Sequence, residues 1–217
     1  MKYAVSRRAF GAAGLALVLV LAVAVPALAQ HPPAAPPAQP PVRVRATIEK
    51  VDGNVLTVKN RAGETLIIKL ADNARVLGMI KAALDDIKPG AYVGISALPQ
   101  ADGSQRALHL HFFPEALRGV AEGHGPWDVQ PGSTMTNATV AEVTSVPDGR
   151  TLLVKYKGEE KKIVIPANTP IVNYVPGDKA DLKPGVHIYI VAAQRQPDGT
   201  LAAASVSFGR DGLVPPM

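Results

Sequence analysis

The sequence contains no cysteine among its 217 residues. This absence excludes disulfides, thiolate metal ligands, thiol catalysis and the attachment of lipid to an N-terminal cysteine. Aromatic residues are also few, at 5% of the chain, and Trp127 is the single tryptophan. The protein must therefore be held together by packing.

Apart from its first 29 residues, the chain also has no large excess of positive or negative charge. The formal net charge is +5, from 23 basic and 18 acidic residues. Lys2, Arg7 and Arg8 lie in the first 29 residues, which contain no acid, so 20 basic and 18 acidic residues remain. This balance gives no strong signal for nucleic-acid binding.

Catalytic motifs are not recognisable in the sequence. No serine lies in a Gly-x-Ser-x-Gly elbow, and no glycine-rich loop is suited to cradle a phosphate. Many carboxylates occur in turns, where they favour the turn conformation: Asp52, Asp102, Asp148 and Asp198. We therefore expect a protein that is not an enzyme and needs no cofactor.

The N-terminus has the three parts of a secretory signal peptide. A basic segment precedes the apolar run GAAGLALVLVLAVAV at residues 11–25, and Ala27-Leu28-Ala29 follows it. We predict a signal peptide over residues 1–29 and a periplasmic or secreted bacterial protein. Arg7-Arg8 leaves the twin-arginine route possible. Gly11 to Ala29 is just long enough to span a membrane, so an uncleaved anchor is the alternative, and the mature chain has no other span.

A proline-rich segment follows the predicted cleavage site. Residues 31–41 read HPPAAPPAQPP, a composition that favours an extended, semi-rigid chain and cannot build a core. We predict a spacer over residues 30–41.

The rest of the chain contains an internal repeat. IKPG at 87–90 matches LKPG at 182–185, and DGS at 102–104 matches DGT at 198–200. Across all matches the offset moves only from 92 to 96, in constant order. A duplicated unit has this signature.

Each repeat predicts five short strands. Apolar residues alternate with polar ones, and Gly, Asp and Pro mark the turns. Closing such a sheet hides its edges, so we predict an all-β fold of two tandem five-stranded barrels, at 42–113 and 137–212. An OB-like barrel fits the element order, with a short helical turn between strands three and four, and an SH3-like barrel is the alternative. The linker is 114–136 and the tail 213–217.

The turn motifs resemble those of an exported bacterial small β-barrel family known as a domain of unknown function. The resemblance rests on VDGNVLTV at 51–58, DIKPG at 86–90 and DGS at 102–104. The second copy departs at its first turn, where PDGR occupies 147–150. The resemblance covers both repeats and implies two tandem OB-like barrels and export. It implies no chemistry, because the matched residues form turns.

The linker 114–136 is long for a connection within compact domains, and such loops are often functional. It contains Trp127 and, close by, His124. We expect Trp127 to fill the groove between the barrels and fix their angle. The alternative is that Trp127 stacks on a ligand.

His109 and His111 are the metal-binding candidates. They lie two residues apart on the predicted fifth strand and so share a face, where two imidazoles could bind zinc or copper. The alternative is an ordinary solvent face, because Ser205 and Ser207 hold the same positions in the second repeat. No third ligand is evident, so we predict no metal site.

Three aromatic rings are expected to face outward on the fourth strands: Tyr92, His187 and Tyr189. Exposed rings on an OB-like sheet can stack on bases or sugars. No dense track of Lys and Arg accompanies them, and amphipathic rings that merely cover the sheet are the alternative.

These patterns favour an exported, non-enzymatic binding module of the bacterial cell envelope. Its expected partner is an envelope protein or cell-surface component, met near the linker. Two alternatives remain open. One is a periplasmic metal-handling accessory protein that uses the histidines, and the other is an oligosaccharide or nucleic-acid binder that uses the OB-like faces.

Overall fold

The computed structural model describes residues 40–217, which form strands joined by turns and four short 3-10 helices. The predicted signal peptide at 1–29 and all but the last two residues of the predicted spacer lie outside the described residues. Within the described range, no helix has the length and apolar character needed to cross a membrane.

The all-β prediction is confirmed. The strands are β1 (Val42–Asp52), β2 (Val55–Asn60), β3 (Thr65–Lys81), β4 (Tyr92–Pro99), β5 (Gln105–Phe112), β6 (Gly123–Pro126), β7 (Thr134–Val146), β8 (Gly149–Tyr156), β9 (Glu159–Pro166), β10 (Ile171–Pro176), β11 (His187–Arg195) and β12 (Leu201–Gly209). The helical turns expected before each fourth strand are 3-10 helices at Leu84–Asp86 and Lys179–Asp181.

A closed five-stranded barrel follows the order β1-β2-β3-β12-β11 and returns to β1. The β3–β12 pair is parallel and the other four pairs are antiparallel. Its apolar side chains alternate along each strand, as a sheet with one buried face requires. The buried core consists of Val44, Ala46, Ile48, Leu56, Val58, Ile68, Leu70, Val76, Leu182, Ile188, Ile190, Ala193, Leu201, Ala203, Val206 and Phe208.

The other strands pair in the equivalent order, β7-β8-β9-β5-β4 and back to β7. Here β5 and β9 are the parallel pair, and they close the ring over two residue pairs, Gln105 with Ile163 and Arg106 with Val164. The buried core of this ring consists of Ile87, Val93, Ile95, Ala97, Ala107, Leu110, Ala138, Val140, Leu152, Val154, Tyr156, Ile163, Ile165 and Ile171.

The pairing corrects the prediction that each repeat closes its own barrel. The first three strands of each repeat pair with the last two strands of the other repeat. The reason lies in β3, which is 17 residues long and continues to Lys81. Its second half still pairs with β12 at residues 75–79 and also pairs with β10 at residues 77–81. Beyond its end, Ala82 N–H donates to the Ile171 carbonyl at 2.9 Å, which places the following chain beside the second ring. As a result β4 lies beside β7 rather than beside β1.

The repeated Lys-Pro-Gly turn anchors this exchange. Gly90 and Gly185 both have φ of +87°, a conformation that favours glycine. Gly90 N–H donates to the Val140 carbonyl of β7 at 2.8 Å, and Gly185 N–H donates to the Ile48 carbonyl of β1 at 2.8 Å. Each turn therefore binds the first strand of the opposite repeat.

The two rings meet along β3 and β10. These strands are antiparallel, with Met79 opposite Tyr174, and β10 also runs parallel to β5. A third apolar cluster lies here, formed by Met79, Val172, Tyr174, Tyr189 and Met217, with Leu77, Trp127 and Leu213 packed against it. Packing between the rings is therefore continuous.

The segment predicted as a linker is partly a strand. Within it, β6 pairs with the start of β7, from Gly123 opposite Asn137 to Pro126 opposite Thr134. Ahead of β6, Arg118 donates to the Gly90 carbonyl at 3.0 Å. The segment thus lies against β7 of the second ring.

Candidate functional site

A cavity of about 170 Å³ lies where the linker segment crosses the two rings. We call it the inner cavity. Its lining consists of His111, Phe113, Val120, Ala121, Trp127, Met135, Asn137, Tyr174, Tyr189, Val191 and Met217. The wall is mostly apolar and aromatic, with a few polar atoms. Small-molecule sites commonly combine these two features.

A wider opening, the outer groove, lies on the other side of β6. It has a volume of about 480 Å³ and its lining consists of residues 121–127, Met135, Asn137, Tyr156, Lys157, Glu159 and Lys161. Ala121, Trp127, Met135 and Asn137 line both spaces. The two spaces therefore share part of their walls.

His109 and His111 are buried, with 1% and 5% of their surfaces exposed. The expectation of an ordinary solvent face is wrong for both, because the neighbouring ring and the linker segment cover this face of β5. Gly94 lies opposite His111 on β4. A Cβ there would come within 2.2 Å of the imidazole, so only glycine leaves room for the ring.

Burial sets the charge of these histidines. Desolvation, with a smaller effect of Arg45, lowers the pKa of His109 to about 4. Desolvation, with a smaller effect of His109, lowers the pKa of His111 well below its usual range. Both rings are therefore neutral at pH 7, and each has one donor and one acceptor nitrogen.

Several polar atoms around the inner cavity are buried without a hydrogen-bond partner in the described part of the protein. They are Nδ1 of His111, Nε1 of Trp127, Oδ1 of Asn137 and the hydroxyl of Tyr189, with both ring nitrogens of His109 and the hydroxyl of Ser96 close by on β5 and β4. Most buried polar groups in proteins are paired, so this concentration requires an explanation.

Trp127 lies at the boundary between the outer groove and the inner cavity. The Arg43 guanidinium stacks 3.8 Å from the centre of its ring. Next to it, Asp128 accepts hydrogen bonds of 2.7 and 3.2 Å from Arg45 and lies 3.6 Å from Arg43. These contacts hold the linker segment on β1, and the Arg45 hydrogen bond is the main cause of the lowered pKa of Asp128.

His124 is on the outer groove. It is exposed, its Nδ1 lies 2.8 Å from the Thr136 hydroxyl, and its ring stacks with that of Tyr156 at 6.3 Å between centres. Desolvation is the main cause of a lowered pKa of His124. Trp127 and His124 therefore both line the outer groove.

The expected solvent exposure of Tyr92 and Tyr189 is wrong. They are only 4% and 2% exposed, because the linker segment and the other ring cover the outer faces of their strands. The Tyr92 hydroxyl donates to the Val120 carbonyl at 3.0 Å, and desolvation, with a smaller effect of Glu122, raises the pKa of Tyr92 to about 12. Desolvation likewise raises the pKa of Tyr189 to about 12.

His187 does not join these residues. Its Nδ1 lies 2.9 Å from the Thr47 hydroxyl, and it lines a separate depression with Lys59 and Arg61. The structure thus brings together Trp127 and Tyr189 at the inner cavity, with His111 beside them, and leaves His187 apart.

Some lining residues carried no usable signal in the sequence. Tyr174 lies on β10, a segment that the sequence reading did not assign as a strand, and the Tyr174 hydroxyl lies 3.3 Å from Sδ of Met217. Met79, Met135 and Met217 are the three methionines of residues 40–217, and all belong to the inner cavity or the adjoining third cluster. The one possible signal for this cavity is the grouping of the three methionines in space. Their wide spacing along the chain conceals that grouping in the sequence.

Comparison with known proteins gives no match to a protein-family model, a curated protein or a solved structure.

Proposed function

We propose that the protein is an exported, non-enzymatic binding module of the bacterial cell envelope. In this proposal two OB-like barrels, interlocked by strand exchange, present the outer groove to an envelope protein or cell-surface component. The strand order supports OB-like barrels rather than SH3-like ones. In both rings the third strand of one repeat is parallel to the fifth strand of the other repeat. The first strand of one repeat is antiparallel to the fourth strand of the other.

The observation that carries the proposal is the composition of the outer groove. Trp127 and Tyr156 supply aromatic surface, and the charged residues Lys157, Glu159 and Lys161 line the same space. Partner-binding surfaces of proteins commonly have aromatic anchors with a charged rim. Strand pairing on β7 and the Arg45–Asp128 contact support a groove that is already formed before a partner binds.

A charge reversal in the groove tests the proposal. The Lys161→Glu variant changes the groove, and the Lys183→Glu variant makes the same change on a distant turn as a matched control. We expect cross-linking in the periplasm to give a product with the wild type and with the Lys183→Glu control. The yield of this product should be at least tenfold lower with Lys161→Glu. Equal products from all three forms would refute the outer groove as the binding surface.

A metal-handling function is the second candidate, and the buried histidine pair favours it. The rings of His109 and His111 are stacked with 6.0 Å between centres, and three of their four nitrogens have no partner in the described residues. Within residues 40–217, however, no group of three or more His, Cys, Asp or Glu side chains is placed to hold a metal ion. Zinc titration by calorimetry tests this candidate, and an absence of heat would end it.

Oligosaccharide or nucleic-acid binding has less support. The burial of Tyr92 and Tyr189 removes two of the three rings on which this hypothesis depended. Salt-dependent retention on a glycan or nucleic-acid matrix is the test that would restore it.

A further inference from the structure

We infer that the inner cavity is a binding site for a small, neutral aromatic molecule that carries one hydrogen-bonding group, such as a phenol or an indole. This inference concerns a different space from the outer groove and does not depend on partner binding there.

The size and the wall chemistry of the inner cavity suit an aromatic ligand. An engineered apolar protein cavity of about 150 Å³ binds benzene, and the inner cavity has a volume of about 170 Å³. Rings and thioethers form much of its wall, among them Phe113, Tyr174, Met135 and Met217. Aromatic edges and polarizable sulfur atoms both make favourable contacts with an aromatic ligand.

The unpaired polar atoms of the inner cavity suit a ligand that carries a hydrogen-bonding group. The Tyr189 hydroxyl and Trp127 Nε1 are donors, and Asn137 Oδ1 is an acceptor, and all three are buried without a partner in residues 40–217. Arg43 approaches the Tyr189 hydroxyl but makes no hydrogen bond of acceptable geometry with it. A buried polar group without a partner is costly, so a ligand that supplies one gains affinity over a pure hydrocarbon.

The charged side chains near the inner cavity already contact one another. Arg45 donates to Asp128 and, at 2.5 Å, to the main-chain oxygen of Met217. Arg43 lies on the Trp127 ring and near the same carboxylate. No residue that lines the inner cavity is an Asp, Glu, Lys or Arg. A charged ligand would lose its hydration without gaining a partner of opposite charge, so the site favours a neutral molecule.

The inner cavity adjoins the outer groove, because Ala121, Trp127, Met135 and Asn137 line both spaces. Trp127 lines the inner cavity and is the single tryptophan, so its fluorescence reports occupancy.

The test uses the full chain with phenol and benzene as probes. We expect saturable phenol binding by calorimetry with a Kd of about 0.1–1 mM, the range for a ligand of this size, and a parallel change in Trp127 fluorescence. Benzene should bind more weakly. The Tyr189→Phe variant removes only the unpaired hydroxyl, so it should fold and should bind phenol about tenfold more weakly while binding benzene unchanged. Tyr156→Phe, in the outer groove, is the matched control and should leave both affinities unchanged.

Three results would overturn the inference. The first is an absence of saturable phenol binding up to about ten times the highest expected Kd. The second is an equal effect of Tyr189→Phe and Tyr156→Phe, which would place phenol in the groove. The third is a response of Trp127 fluorescence to Ag⁺ or Zn²⁺ but not to phenol, which would make the cavity a metal site. Loss of periplasmic cross-linking in Lys161→Glu concerns only the outer groove, so the two proposals fail separately.

Discussion

Strand exchange between the repeats can be tested directly, because the chain has no cysteine of its own. Thr47 of β1 lies opposite His187 of β11, and their side chains are 2.9 Å apart. Directly opposed residues of antiparallel strands have Cα atoms about 4.5–5.5 Å apart, within the range that a disulfide can bridge. We expect the Thr47→Cys/His187→Cys variant to form an intramolecular disulfide upon oxidation.

The stabilisation expected from this disulfide depends on the length of the loop that it closes. The two residues are 140 positions apart. The chain-entropy model gives a stabilisation of about 5 kcal/mol for a loop of that length. For a chain of this size, that corresponds to a rise in Tm of about 10–20 °C, reversed by a reductant.

The matched control distinguishes the exchanged arrangement from a tandem one. Thr139 is the equivalent of Thr47 in the second repeat and lies opposite Tyr92. If each repeat closed its own barrel, residue 187 would lie beside residue 139. We therefore expect no intramolecular disulfide in Thr139→Cys/His187→Cys. Gel mobility without reductant and thermal denaturation measure both variants, and the opposite pattern would refute the exchange.

Further predictions concern the inner cavity and its surroundings. Gly94→Ala should lower the free energy of unfolding by about 1–3 kcal/mol, because the added Cβ meets the His111 ring. The Cβ added by Gly125→Ala has no neighbour within 4 Å, so this control should change the free energy of unfolding little. Urea denaturation compares the two variants. The pKa of His109 is about 4 in the folded protein against an ordinary 6.5. The free energy of unfolding should therefore fall by about 3 kcal/mol as the pH drops from above 6.5 to 4. Unfolding curves that do not change across that range would contradict the burial of this ring. Trp127→Ala should cost about 2 kcal/mol of stability by thermal denaturation, and an unchanged Tm would rule out a packing role between the rings.

The strands were predictable where their signal is local. Alternation of apolar residues and glycine-rich turns located most strands, and Asp102-Gly103 and Asp198-Gly199 form the turns before β5 and β12 as expected. The second half of β3 and the whole of β10 were missed. Both lie between the two rings, where Met79 on β3 and Tyr174 on β10 are covered by the third cluster. In such strands apolar residues do not alternate clearly with polar ones, because neither face of the strand is fully exposed to solvent.

The candidate site was predictable only in part. A long linker with one tryptophan pointed to Trp127, and the neighbouring position of His124 followed from proximity in the chain. The period of two correctly placed His109 and His111 on one face of β5. It could not indicate that the face is buried, because the covering groups come from residues far away in sequence, among them Tyr174 and Trp127.

The sequence by itself determined an all-β chain, since each strand and turn is encoded by residues next to one another. Only the tertiary structure decided which strands pair. The first strands of the two repeats are equivalent, so β11 could in principle bind either one, and both arrangements satisfy the same alternation of apolar residues. The length of β3 and the attachment of Gly90 and Gly185 to the opposite repeat select the exchanged arrangement. That selection brings β4, β5, β10 and β11 together around one cavity, which neither repeat could form alone.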